Sequence, residues 1–346
     1  MSVLRFFLSF SLIIPLFLLS ACEKKNEKVL NLAIWGNYLS PDLQKKFTEQ
    51  TGIEIRMTNY SSNEELLAKV QTGGASFDVA VPSDYMVGVM AHLNLLEPLD
   101  RKQLPHFQNL DTQFLHQDYD PQNQFSVPYG WTTAGIAINR DLYKEPIHSW
   151  KDLFEKPALK GQISALDDMR ELAAVALKLQ GQSVNTTDPQ TIEKAFTYLK
   201  KIKPQIKVFT ANAVDLLKNK EIKAGHVYSS DALLAQKTNP HIEYILPEEG
   251  GTRAIDNLVI IKGAPHLKAA HAFINFLMTP EANASSVMTI RAGPVIKGAR
   301  ALLPKDLQNN KALFPDQKIL TKLESLHDLK EKNSLYEKAW TEFKSE

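Results

Sequence analysis

A single cysteine, Cys22, stands in the 346 residues of this chain. That excludes an internal disulfide and any cysteine-ligated metal centre. Charge of one sign is also missing: Lys and Arg number 40 against 39 Asp and Glu, for a net +1. No basic stripe rises above short lysine pairs, which argues against a nucleic-acid partner. The nine histidines include no H-E-x-x-H arrangement, and His266 and His271 are five apart, off a common helix face. There is no G-x-S-x-G, no P-loop and no G-x-G-x-x-G; Gly73-Gly74 reads as a loop break. Nothing supplies a nucleophile, so no catalytic residue, metal or cofactor is expected. Repeats of fixed period and low-complexity tracts are absent as well.

The first segment present is a leader. Arg5 precedes an apolar run over residues 6–19 that ends in Leu19-Ser20-Ala21-Cys22. This stretch resembles a bacterial lipoprotein signal, in which the chain is cut before Cys22 and the thiol is lipidated. An uncleaved anchor with an incidental cysteine is the alternative. Either way the remainder is expected to work outside the cytoplasm, periplasmic and held at a membrane. Residues 22–28 read as the lipidated cysteine and a charged tether.

With 44% hydrophobic and 23% charged residues, the rest is long enough for two packed units. Strand patterns at 29–34, 53–57 and 77–81 alternate with helix patterns that start at Ser40-Pro41 and in the run 61–65. This β-α-β-α-β order predicts a mostly parallel sheet flanked by helices. Residues 125–128 and 135–139 read as two short strands around Tyr129-Gly130-Trp131, where the chain crosses into a second lobe. The alternation then repeats through strands at 163, 206–209, 224–228 and 242–246, with a late return strand at 257–261. From Leu267 onward the pattern reads helical. The expected division is 1–21 signal, 29–133 with 257–300 as first lobe, 134–256 as second lobe, and 301–346 as C-terminal helices packing on both.

The organising stretch is 163–179, where a short apolar segment passes through Asp167-Asp168-Met169-Arg170-Glu171 into an Ala-rich helix. Asp168 and Glu171 have capping-box spacing, so both acids could serve only to satisfy amides. Alternatively they face a ligand at the carboxyl end of a strand. Other strand ends decide between the two. The full set is Trp35, Tyr38, Ser83, Asp84, Tyr85, Trp131, Asp168, Glu171, Tyr228, Asp231 and Asp256: five acids, five aromatics and no Lys or Arg. Aromatic faces attract ammonium groups and carboxylates give them charge-assisted hydrogen bonds, so together they describe a site for an organic cation. Singly, Trp35 and Tyr85 could be core and Asp84 and Asp231 helix caps. Asp256, placed at the mouth of an apolar strand, has no cap to make. Crowding among these acids is expected to raise at least one pKa.

The chain resembles the substrate-binding proteins of ABC-type spermidine/putrescine importers over nearly all of 29–345. The motifs that carry the resemblance are Ile34-Trp35-Gly36-Asn37-Tyr38, Phe77-Asp78-Val79-Ala80-Val81-Pro82-Ser83, Val127-Pro128-Tyr129-Gly130-Trp131, Asp167-Asp168-Met169-Arg170-Glu171, Asn185-Thr186-Thr187-Asp188-Pro189 and Pro247-Glu248-Glu249-Gly250-Gly251. The resemblance implies a two-lobed type II periplasmic-binding fold, α/β in each lobe, that holds a polyamine between hinged lobes and docks, as a monomer, on a membrane permease. It implies Trp35, Tyr38, Ser83 and Tyr85 as one wall and Asp168, Glu171 and Asp256 as ammonium-binding acids. Asp231 resembles the acid of a Trp-Ala-Gly-Asp stretch, with Tyr228 in place of its Trp. Two family aromatics are replaced by Ala254 and Ala292, with Arg253 and Arg291 beside them. Two other functions stay open: a binding protein for an amino acid or anion that uses these arginines, and an extracytoplasmic enzyme or sensor.

Overall fold

The computed structural model describes residues 28–36, 38–72 and 76–345. Cys22, the leader, the tether up to residue 27, Asn37 and Gly73-Gly74 lie outside the described residues. No described helix is long and apolar enough to cross a membrane.

Among the described residues eleven strands build the sheet: β1 Val29–Trp35, β2 Glu54–Tyr60, β3 Val79–Ala80, β4 Leu96–Glu97, β5 Ser126–Asn139, β6 Ile163–Ala165, β7 Ile206–Phe209, β8 Ala224–Tyr228, β9 Ile242–Ile245, β10 Thr252–Ile261 and β11 Glu324–Ser325. Their order is β2-β1-β3-β10-β5-β8-β6-β7, with β4 and β11 beside β10 and β9 beside β5. β1 runs parallel to β2 and β3, and β6 runs parallel to β7 and β8. These are the two parallel halves that the alternating pattern predicts, and each is sandwiched by helices.

Local chemistry explains the elements. Leu30, Leu32 and Ile34 of β1 are buried, and so is Ala33 between them, because helices cover both faces of the strand. Ser40 caps helix Pro41–Thr51 by accepting from the Leu43 amide, Pro41 opens it, and Gly52 at φ 70° closes it. One apolar cluster gathers around Leu30, Phe47 and Phe273. A second gathers around Trp150, Phe154 and Leu199, and helix Asn333–Ser345 adds Tyr336 and Phe343 to it.

Three expectations are corrected. Residues 125–128 and 135–139 are not two strands but parts of the 14-residue β5, because Gly130 and Trp131 keep the ladder going against Asp256 and Ile255. Within β5 the partner changes instead: Ser126 to Thr133 pair with β10, and Ala134 to Asn139 with β8 and β9. The return strand starts at Thr252 rather than 257, so Asp256 lies inside a strand and not at its mouth. The segment after Ile290 is not continuously helical; it holds β11, paired to β10, and short helical turns before the last helix.

Candidate functional site

β1 delivers Trp35 and Tyr38 beside the end of β3. The Trp35 Nε1 donates to the Val81 carbonyl at 2.8 Å, and its ring lies 4.7 Å from that of Tyr60. Tyr38 is fixed from behind, where the Tyr129 hydroxyl donates to its carbonyl at 2.7 Å. Ser83 stands at the N-cap position of helix Asp84–His92 without capping it. Its hydroxyl turns to Asp256 instead, donating to Oδ1 at 2.9 Å, while the Tyr38 hydroxyl donates to Oδ2 at 2.9 Å. Asp256 is therefore buried and doubly hydrogen-bonded, a prepared carboxylate.

Asp84 is buried as the first residue of its helix and accepts from the Tyr85 amide and, at 3.3 Å, from the Ile255 amide of β10. Tyr85 donates its hydroxyl to Glu64 at 3.0 Å and receives Asn63 Nδ2 at 3.2 Å. In the other half, Asp168 does cap helix Met169–Leu179, accepting from the amides of Arg170 and Glu171. Glu171 does not complete a capping box. It is buried, and the Thr252 hydroxyl donates to its Oε2 at 2.5 Å. Arg170, between the two acids in sequence, is drawn off to Asn185, Asn333 and the carbonyls of Val184 and His327, with its guanidinium 4.7 Å over the Tyr336 ring. Tyr228 ends β8, and helix Ser229–Gln236 follows with Asp231 in its first turn. One Asp231 oxygen, Oδ2, is buried without a hydrogen-bond partner among the described residues.

Burial pushes these acids up: Asp256 to about 6, Asp84 and Asp231 to about 7, Glu171 to about 8, and Asp168 in the same direction. Repulsion, the cause expected from the sequence, ranks behind burial; it acts on Glu171 through Asp168 and on Asp84 through Asp256. The tyrosines show that the two halves meet. After burial, Tyr38 is raised by Asp256 and also by Asp231, Tyr85 by Glu64 and Asp168, and Tyr228 by Glu171 and Asp168. Apart from Trp131, the expected residues thus gather into one aromatic-walled set of carboxylates that makes no ion pair among the described residues, although Arg170 still acts on Asp168 and Glu171, and Arg253 on Asp84.

Trp131 is the exception. It pairs with Ile255, one place along from Gly130 opposite Asp256, so its side chain leaves β5 on the other face. There it lies 6.0 Å from Phe114 and covers Gly293. The same alternation separates Arg253 from Asp256. Arg253 donates to Ser325 Oγ at 3.3 Å and lines a cavity of about 320 Å³ with His116, Asp118, Asn185 and His327. Its charge reaches Asp84 but forms no ion pair among the described residues. Arg291 closes helix Pro280–Ile290 at φ 58°, near Asp306.

Glu64 and Thr252 were not singled out in the sequence. Glu64 was absorbed into a helix-cap run, although Ser62 and Glu65 do the capping there. Thr252 follows directly on the expected turn 247–251, and only an earlier start of the return strand would have exposed it.

The model of the bacterial extracellular solute-binding protein family matches residues 42–315. Over 330 residues the chain is 34% identical to the spermidine/putrescine-binding periplasmic protein of Salmonella typhimurium, covering 94% of each. It superposes with a TM-score of 0.83 on the spermidine/putrescine ABC transporter substrate-binding protein of Streptococcus pneumoniae, at 32% identity over 92% of this chain and 99% of that one. A lipoprotein of Treponema pallidum gives 0.84 at 27% identity, over 91% and 99%.

Proposed function

The chain belongs to the bacterial extracellular solute-binding proteins, and on that premise we propose that it captures a polyamine, putrescine or spermidine, between hinged lobes and hands it unchanged to an ABC permease. The observation that carries the reading is the set of carboxylates formed by buried Asp84, Glu171 and Asp256 with half-buried Asp168 and Asp231, drawn from both halves of the sheet, walled by Trp35, Tyr38, Tyr85 and Tyr228 and without an ion pair to any Lys or Arg among the described residues. Unpaired carboxylates forced into low dielectric are raised in pKa and stay short of counter-charge. A chain of ammonium groups joined by methylenes supplies charge to the acids and apolar surface to the rings.

The first lobe is assigned to 29–133 and 257–300, the second to 134–256, with 301–346 packing on them. The change of partner along β5 between Thr133 and Ala134 supports that division. A ligand bridging both sets of acids binds the closed form more tightly and so shifts the population toward closure. The closed form is the one that docks on the permease. Lipidation at Cys22 would hold the protein, as a monomer, at the membrane face.

Titration calorimetry of the domain after Cys22 with putrescine, spermidine, spermine and glutamate tests this. Saturable one-to-one binding of a polyamine, lost in Asp256→Ala and Glu171→Ala, is expected. Binding of glutamate alone, abolished in Arg253→Ala or Arg291→Ala, would overturn it, as would heat from no amine at all.

A further inference from the structure

A hydrogen-bonded chain runs along the first-lobe wall from the innermost acid to the solvent. Ser83 Oγ donates to Asp256 Oδ1 at 2.9 Å, and the Ser83 amide donates to Asn63 Oδ1 at 3.1 Å. Asn63 Nδ2 donates to the Tyr85 hydroxyl at 3.2 Å, which in turn donates to Glu64 Oε1 at 3.0 Å. Asn63 is buried, so the chain has a fixed middle and a carboxylate at each end. Asp256 is the desolvated end and Glu64 the exposed one.

Apart from its place in the first turn of helix Asn63–Gln71, Glu64 has no role among the described residues other than its bond to Tyr85. Its neighbour Glu65 is committed to the helix start, accepting from the Ser61 amide and hydroxyl and pairing with Lys69 at 3.2 Å. The carboxylate of Glu64 meets only the Tyr85 hydroxyl and no Lys or Arg among the described residues. It is near enough to Asp168 of the opposite lobe to push that acid's pKa up. Two like charges approach across the lobes there, and a cation placed between them would turn repulsion into attraction.

We propose that Glu64 is a further specificity-determining residue, the outer carboxylate that receives the third ammonium of a triamine and so sets its preference over a diamine. The proposal rests on the polyamine reading above. The inner acids suffice for two ammonium groups, and the chain Asp256-Ser83-Asn63-Tyr85-Glu64 fixes how far along the wall the outer one waits. Because Glu64 is exposed, its contribution is salt-sensitive and modest beside those of the buried acids.

The test is calorimetry of putrescine and spermidine at low salt on the wild type, Glu64→Gln, Glu65→Gln and Tyr85→Phe. Glutamine keeps the acceptor for the Tyr85 hydroxyl and removes only the charge, so folding is retained and melting curves verify it. Spermidine affinity is expected to fall about three- to fivefold in Glu64→Gln, the upper scale of one exposed ion pair at low salt, while putrescine stays within about 1.5-fold. Glu65→Gln removes the same charge one residue away and should leave the ratio of the two amines unchanged. Tyr85→Phe, which frees Glu64 from the chain, should lower the ratio. The proposal is overturned if Glu64→Gln weakens both amines equally or neither, or if Glu65→Gln moves the ratio as much. Should the wild type bind neither amine, the polyamine reading itself fails, a result distinct from binding without selectivity.

Discussion

The Tyr38 hydroxyl donates to Oδ2 of Asp256 at 2.9 Å, joining the chain just beyond β1 to the middle of β10 across 218 residues of sequence. This bond favours the ionised carboxylate, so it holds Asp256 lower than burial alone would place it. In Tyr38→Phe the pKa of Asp256 is expected to rise from about 6 by about one unit, the scale of one lost hydrogen bond. Polyamine affinity should then fall about fivefold at pH 6, and the gap should close by about pH 8, where Asp256 is ionised in both proteins. Calorimetry at the two pH values checks it. A deficit of equal size at both would mean that the ring's packing, rather than its hydroxyl, is what matters.

Thr252→Val makes the corresponding test on the other side of the site. The Thr252 hydroxyl is the donor that lowers the pKa of Glu171 against burial and Asp168. Valine fills a similar volume without the donor, leaving the carboxylate harder to ionise than its present value of about 8. Spermidine affinity at pH 7 is expected to drop by roughly three- to tenfold and to recover in large part by about pH 9.

Much of this site was legible because α/β alternation dictates where strands end, and Trp35, Ser83, Asp84, Asp168 and Tyr228 all stand within a few residues of such ends. What failed were judgements about strand continuity. The segment Tyr129-Gly130-Trp131 reads as a crossing between two short strands, yet glycine pairs in a ladder as any residue does, and β5 runs through it. Trp131 was therefore taken for a strand-end residue when pleating turns it away. Asp256 was chosen on the wrong ground, since a strand mouth needs no cap but β10 begins four residues earlier. Its role in the site depends on partners 218 and 173 residues away, which no local pattern encodes. Glu64 escaped notice because two adjacent glutamates in a cap run look equivalent, and only the fold shows which one the cap uses.

His226 on β8 is a stability liability of a different kind. Its ring is buried edge-on against Trp150 at 4.9 Å, and neither ring nitrogen has a hydrogen-bond partner among the described residues. Burial pushes its pKa down to about 3. The unfolded chain binds the proton near pH 6.5 and the folded one does not, so this residue's contribution is lost as pH falls from about 6.5 to about 3, by about 1.4 kcal/mol per unit. His226→Phe keeps the ring contact and removes both unsatisfied nitrogens. It is expected to raise stability at pH 5 by roughly 1–2 kcal/mol in urea melts and to flatten that part of the acid-side slope.

The cleft acids work in the opposite sense. Asp256, Asp84, Asp231 and Glu171 hold protons in the folded protein up to about 6, 7, 7 and 8, whereas unfolded carboxyls release theirs near pH 4. Between about pH 4 and pH 8 the folded state binds more protons than the unfolded one, so ligand-free stability should decline as pH rises through that window. A polyamine reverses the balance, because its ammonium groups favour ionised acids and binding must expel the protons they held. Calorimetry at pH 6.5 in two buffers of different ionisation heat is expected to show about two protons released per polyamine, falling toward zero by about pH 9.5. The stabilisation conferred by ligand should grow over the same interval in which the ligand-free protein weakens. No proton release at about pH 6.5 would mean that these carboxylates are already ionised before ligand arrives, and that the lobes stand open enough in solution for water to reach them.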